Sequence, residues 1–189
     1  MGLRRLTPPK EEPLTLEEAK AHLRIDGNDE DSHISGLIGA AREHAESITQ
    51  RAFLTQTHQL SLNGCPDEAL LLPKPPIQLV QKLQYIDPLG KAQILKEGAD
   101  FWTDSTTEPS RIVPIAGWPA TASRPGAVVI DFVSGYGESN DVPQPIKQAM
   151  LLMIGHWYEH REAVSETSMT TLPLAVDALL NPYRIWRYI

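Results

Sequence analysis

Four groups of residues in this sequence have types and spacings that could do chemistry. His156-Trp157-Tyr158-Glu159-His160 matches H-x-x-E-H, the inverted form of a zinc-peptidase motif. On a helix, side chains four residues apart share a face. His156 and His160 could therefore grip one metal ion while Glu159 serves as general base toward a bound water. Such a site needs a third protein ligand, and nothing nearby supplies one, so two partly exposed histidines near a helix end is the plainer reading. Gly135-Tyr136-Gly137 sits between a strand pattern and a helix pattern, where nucleotide-binding loops also sit. It lacks the third glycine of a dinucleotide loop and the Gly-Lys-Ser/Thr of a P-loop, so it reads as a strand-to-helix bend. Cys65 lies in a turn with no base beside it and reads as an incidental thiol. Residues 26–31 faintly resemble a calcium loop, but they fall short of the twelve-residue pattern and lack its closing Glu. Helix capping explains them better. The sequence therefore offers no catalytic residues, no metal site and no cofactor site that outweighs its plainer reading.

The elements that would position these groups are clearer than the groups themselves. Residues 142–161 predict the central core helix. Pro145 suits its first turn, where a missing N–H costs nothing. Ile146, Ala149, Met150, Met153 and Trp157 recur at helical spacing, while Leu151, Leu152, Ile154 and Tyr158 fill much of the other side. A helix apolar nearly all round must be buried, by its own fold or by a second subunit. Its unbroken apolar run, 149–154, is far below the ~20 residues of a membrane span.

Toward the N-terminus, residues 1–13 are polar and proline-punctuated and predict a mobile arm or extended lead-in. Thr15 and Glu18 form a capping box that starts a short helix with Leu16, Ala19 and Leu23 as its stripe. A second helix begins near residues 29–31, with Ile34, Leu37, Ile38, Ala41, Ala45, Ile48 and Ala52 as its apolar positions for about five turns. Arg42, Glu43, Glu46 and Gln50 mark its expected wet side. Strands are predicted at 57–62, 77–85 and 127–134, with shorter candidates at 70–72, 92–95, 101–103 and 111–115. Asp87-Pro88-Leu89-Gly90 predicts a hairpin turn. A short helix over 172–180 ends at Asn181-Pro182. The expected fold class is α+β, mainly α: a helical core of about four helices from residues 1–53 and 133–189, with a small β-rich lobe, 54–132, inserted into it.

The chain has 189 residues, a formal net charge of −7 and one cysteine. The length fits one domain, or one with an inserted lobe. The acidic balance argues against a general nucleic-acid binder. A single cysteine excludes an internal disulfide and fits a reducing compartment. No apolar segment follows Arg4 and Arg5, so no secretory signal is expected. The last residues, Tyr183, Arg184, Ile185, Trp186, Arg187, Tyr188 and Ile189, are aromatic and arginine-bearing, the composition of an interface hot spot. They read either as a tail folded back on its own domain or as a docking segment, and the composition favours docking.

The order of these pieces resembles a known family. A capped helix, an acidic turn and a long helix ending in Ile48-Thr49-x-Arg51 come first. Gly135-Tyr136-Gly137 then leads to Val142-Pro143, and Lys147, Ala149 and Leu152 lead to Tyr158-Glu159-x-Arg161-Glu162. Leu172-Pro173, Val176, Leu179-Leu180 and Pro182-Tyr183-Arg184 close the series. Over roughly 13–53 and 133–185 this is similar to the head–tail connector (adaptor) proteins of long-tailed bacteriophages, prophages and gene transfer agents.

The resemblance implies a structural subunit without catalytic residues. It implies a homo-oligomeric ring, usually twelve-fold, beneath the portal protein of a virion neck, assembled from the host cytoplasm. The ring would extend the DNA channel, letting DNA pass without specific binding, and would dock a head-completion (stopper) or tail protein. The family's C-terminal segment reaches the portal, which carries over to Tyr183–Ile189. Ile146, Met150, Met153, Trp157 and Tyr158 are the expected subunit interface. Three other readings remain open at this point: a tail-terminator or tail-completion subunit, a small zinc peptidase on His156, Glu159 and His160, and a monomeric binding module.

Overall fold

The computed structural model describes residues 1–160 and 174–186. The chain forms two compact units. One gathers Met1–Lys10, Thr55–Tyr136 and the chain end from Ile185; the other gathers Glu11–Leu54 and Gly137–Arg184. The fold class is α+β, with four α-helices and eight strands among the described residues.

The β unit holds two antiparallel sheets. The larger runs in the order β1 (Gly2–Thr7), β2 (Gln56–Leu62), β8 (Val128–Ser134), β4 (Ile77–Ile86), β5 (Ala92–Leu95). The smaller runs β3 (Leu70–Leu71), β7 (Arg111–Pro114), β6 (Phe101–Asp104). β8, rich in β-branched and aromatic residues, lies at the centre of the larger sheet as its composition predicts. Leu60, Ile130 and Leu83 face one another across β2, β8 and β4, and Phe101 and Ile112 of the smaller sheet join the same core.

Two elements depart from the sequence expectation. Strict alternation in β4 would bury Ile77, Leu79, Leu83 and Tyr85. Instead Ile77, Val80 and Leu83 are buried and Leu79 is 51% exposed. Pairing with β8 slips between Ile77 and Leu79 and again between Val80 and Lys82, and each extra residue rotates the strand's face. Residues 2–7, expected in a mobile or extended lead-in, are an edge strand paired with β2 from Gly2↔Ser61 to Thr7↔Thr57. All six are exposed, so no hydrophobic pattern marks them; the free edge of β2 orders them through backbone hydrogen bonds.

The helical unit is built from α1 (Leu16–Leu23), α2 (Asp31–Thr49), α3 (Gln144–Glu159) and α4 (Leu174–Leu180). The Thr15 capping box is present in both directions, with Glu18 N donating to Thr15 Oγ1 at 3.1 Å and Thr15 N to Glu18 Oε2 at 2.7 Å. α3 packs against α1, α2 and α4. At Gly155 an added Cβ would stand 3.4 Å from His22 Nε2, in ordinary van der Waals contact, so α1 and α3 lie close at this point. The strand-to-helix bend expected at Gly135-Tyr136-Gly137 is present, with φ of 122° at Gly135 and 140° at Gly137, both in glycine's range.

Candidate interaction surfaces

The expected subunit interface on α3 is corrected by its own chain. Ile146, Met150 and Met153 are fully buried within the helical unit. α1, α2 and α4 supply the cover that the all-round apolar pattern demanded, so these three side chains are not presented to a second copy. Trp157 and Tyr158 are half-buried. The Trp157 ring meets His44 edge-on at 5.8 Å, and the Tyr158 hydroxyl donates to Glu30 Oε2.

The zinc reading finds no third ligand among the described residues. α3 ends at Glu159, and His160 follows it with Nδ1 2.9 Å from the His156 carbonyl oxygen. The His156 and His160 rings lie 4.6 Å apart, and the Nε2 of His160 is not engaged by that contact. Among the described residues no three His, Cys, Asp or Glu side chains come together as a metal-holding group. Residues 26–31 act as a helix junction: Lys20 Nζ donates to Asp31 Oδ1 at 2.7 Å and to Asn28 Oδ1 at 2.9 Å. Cys65 is half-buried, and burial pushes its thiol up to about 11, which leaves it a poor nucleophile.

Two networks hold the C-terminal half of α2 and the turn after it, and neither is visible as a pattern in α2 alone. Arg42 and Glu46, expected on the wet side, are 6% and 7% exposed. Arg42 Nε donates to Glu12 Oε2 at 2.7 Å and Nη1 to Glu46 Oε2 at 3.3 Å. Burial alone would lower the Arg42 pKa, but the hydrogen bond and charge of Glu12, joined by Glu46 and Glu43, leave it raised. Glu46 Oε1 also accepts the Phe53 backbone N–H at 2.8 Å, so one carboxylate serves both its helix and the turn after it. Beyond Gln50, in a left-handed conformation, Arg51 is 5% exposed and Nε donates to the Tyr183 carbonyl oxygen at 2.5 Å. The Ile48-Thr49-x-Arg51 ending is thus a clamp on the C-terminal segment.

That clamp defines the root of the terminal segment. Asn181–Tyr183 is a 3-10 turn directly after α4, and Arg184 Nη2 bonds Asp177 Oδ1 on α4 at 3.1 Å. Tyr183, Arg184 and Ile185 are half-buried, whereas Trp186 is 76% exposed. Arg187, Tyr188 and Ile189 lie outside the described residues. The expectation for the terminal segment therefore divides: its first residues are bound to their own chain, and the indole presents most of its surface to solvent. A tryptophan at that exposure is the kind of side chain that anchors interfaces.

The β unit adds features that sequence reasoning missed. An apolar cavity of about 430 Å³ is lined by Leu62, Cys65, Ala69, Leu71, Pro73 and Pro109, among others. His58 on β2 is 5% exposed, stacks on Phe132 at 5.6 Å, and has no hydrogen-bond partner on either ring nitrogen among the described residues. Burial, then the charges of Lys74 and Arg5, lower its pKa to about 4, so it is neutral at pH 7.

A sequence profile of a protein family described as head completion protein matches residues 12–186. The fold is similar to a chain in the neck of an empty GTA particle computed with C6 symmetry, with a TM-score of 0.83 and 24% identity over 100% of this chain and 98% of that one. It is similar to a chain of the virion of a native gene transfer agent (GTA) particle at a TM-score of 0.81 and 24% identity, with the same coverage. A chain in the neck of a native GTA particle computed with C12 symmetry gives a TM-score of 0.80 and 23% identity, again over 100% and 98% of the two chains. No curated protein sequence matches this chain.

Proposed function

The chain belongs to the head completion protein family, and we propose on that premise that it is a structural head–tail connector subunit in the neck of a tailed phage, prophage or gene transfer agent. The observation that carries this reading is the family match across residues 12–186, supported by end-to-end likeness to chains from GTA necks. Copies of the chain form a ring around the DNA channel, twelve in number by the resemblance, a number that the C12 symmetry of one GTA neck supports. The protein is not an enzyme; its work is to bind neighbours in a fixed geometry. A net charge of −7 per copy, repeated around a ring, keeps phosphate contacts few, which suits a bore through which DNA must slide.

The partner on the head side is the portal protein, and the C-terminal segment reaches it. The Arg51 clamp on Tyr183 and the exposed Trp186 support this: the segment is anchored at its root and offers an aromatic anchor beyond it. The partner on the tail side is a stopper or tail protein. A tail-terminator subunit would share the ring but would not touch the portal, so its neighbours distinguish the two.

Imaging and mass measurement of the isolated neck test the ring: a closed ring of this chain next to the portal is expected, and a neck without one refutes the proposal. Deleting residues 185–189 leaves the Arg51 contact in place. Portal binding should be lost while the melting temperature holds, and undiminished binding would remove the C-terminal segment from the interface.

A further inference from the structure

The β unit carries a protrusion and a recess suited to each other. The turn between β4 and β5 is held by Asp87. Gly90 N donates to Asp87 O at 2.9 Å, while Leu89 N and Lys91 N donate to Asp87 Oδ1 at 3.0 and 2.9 Å. Gln93 Nε2 adds a fourth bond, to Oδ2, at 3.1 Å. At the tip of this well-braced turn Leu89 is 94% exposed. A solvated turn favours polar residues, and a braced leucine loses little entropy on docking. The recess is the apolar cavity of about 430 Å³ behind the loop after β2. That loop is fixed by Trp118 Nε1 donating to the Glu68 carbonyl oxygen at 2.6 Å and Gly126 N donating to Asn63 Oδ1 at 3.3 Å.

We propose that the β4–β5 turn, led by Leu89, docks into the cavity beside Cys65 and Pro73 of a second copy of this chain, forming the head-to-tail contact between neighbours. The inference rests on the ring reading and names one of its surfaces.

Position and charge support a second copy as the occupant. Leu62 pairs with Val128, and Val128 with Tyr85, so the cavity and the turn lie at the same end of the larger sheet. They lie on opposite flanks: the cavity beside β2 with Met1 in its lining, the turn at the β4–β5 edge. A copy displaced sideways brings turn to cavity, with two different faces in contact, and such contacts close into rings. The β4–β5 segment, 77–95, carries Lys82 and Lys91 against one acid, Asp87, whereas residues 63–73 of the cavity wall carry Asp67 and Glu68 and no base. Direct pairing of the sheet edges is disfavoured, because Arg4 and Arg5 on β1 would meet Lys91 and Lys96 flanking β5.

The test uses neck-bearing particles whose ring has been imaged. In a Cys65→Ala background, Asp67→Cys and Leu89→Cys are combined and treated with a short bismaleimide. A ladder of covalent multimers of this chain is expected, absent from either single-cysteine protein. An imaged ring that gives no ladder, or an adduct to the portal or another neck protein instead, overturns the proposal and leaves the ring reading intact. Particles without a ring overturn the ring reading itself. Leu89→Glu, which needs no engineered cysteine, should leave the melting temperature unchanged and cut incorporation into particles about tenfold or more. Incorporation at the wild-type level would equally overturn the proposal.

Discussion

Acidification should destabilise the β unit through His58, and the effect can be separated from every other titrating group. His58 lies between the two positive residues Arg5, its register partner on β1, and Lys74, with Phe132 against its ring and no partner for either nitrogen among the described residues. Its pKa is about 4 in the folded protein, against an ordinary value of 6.5. The unfolded chain therefore binds a proton more readily, so stability rises with pH between these two values. The contribution is fully present above 6.5 and is lost as pH falls toward 4. At 1.36 kcal/mol for each unit, the loss is about 2 kcal/mol at pH 5 and about 3 kcal/mol at pH 4. For a chain of this size, 2 kcal/mol corresponds to a fall in melting temperature of about 4–8 °C. Asp87 and Asp104, both held below the ordinary carboxylate range by hydrogen bonds, lose their contributions only nearer pH 4 or below, and the other five histidines are common to wild type and variant, so the difference between the two proteins from pH 7 to 5 reports on His58. The assay is denaturant unfolding at pH 7, 6 and 5, followed by tryptophan fluorescence, for wild type and His58→Leu. The variant should lose much less stability across the window. It should also match or exceed wild type at pH 7, because two unsatisfied buried nitrogens, worth about 1–3 kcal/mol each, are gone. Parallel pH slopes for the two proteins would refute this account of His58.

Four further outcomes follow from contacts described above. Glu46→Ala strips Arg42 of one buried partner and the Phe53 N–H of its acceptor, and should cost about 3 kcal/mol of stability in the helical unit, measured by urea midpoint. The double variant Arg42→Met, Glu46→Leu should recover part of that loss, since it leaves no buried guanidinium, while the partly exposed Glu12 loses its partner and the Phe53 N–H its acceptor. Arg51→Met removes the charged donor from the Tyr183 carbonyl, costing about 1.5–3 kcal/mol and speeding proteolysis around residues 181–186, read by mass spectrometry. Cys65, with its thiol pushed from 9.0 up to about 11, should alkylate about a hundredfold more slowly than an exposed thiol at pH 8, followed by intact mass.

Composition singled out the C-terminal segment but not what it touches within its own chain. An aromatic, arginine-bearing end marks a segment that binds something, but Tyr183 and Arg184 turn out to be engaged with Arg51 and Asp177 of their own chain. The Ile48-Thr49-x-Arg51 ending carried the clue, since an arginine just past a helix end invites a distant carbonyl; its partner, 132 residues away, has no signature in sequence. The α3 surface was misjudged for a related reason. All-round apolarity says that a helix is covered, and it is silent on whether its own chain or a second copy does the covering.

Features whose cause lies within a few residues were determined by the sequence itself. The Thr15–Glu18 box, the span of α2, the proline-opened start of α3, the Asp87–Gly90 turn and the central strand β8 each depend on local periodicity, caps or turn chemistry. The tertiary structure alone decided what those elements face. Two slips in the pairing with β8 turned Leu79 outward, the open edge of β2 made a strand of residues 2–7, and Glu12 with the Phe53 N–H drew Arg42 and Glu46 out of water. Dihedral preference and side-chain period act over one or two turns of chain, whereas burial depends on which distant segment arrives to exclude the solvent.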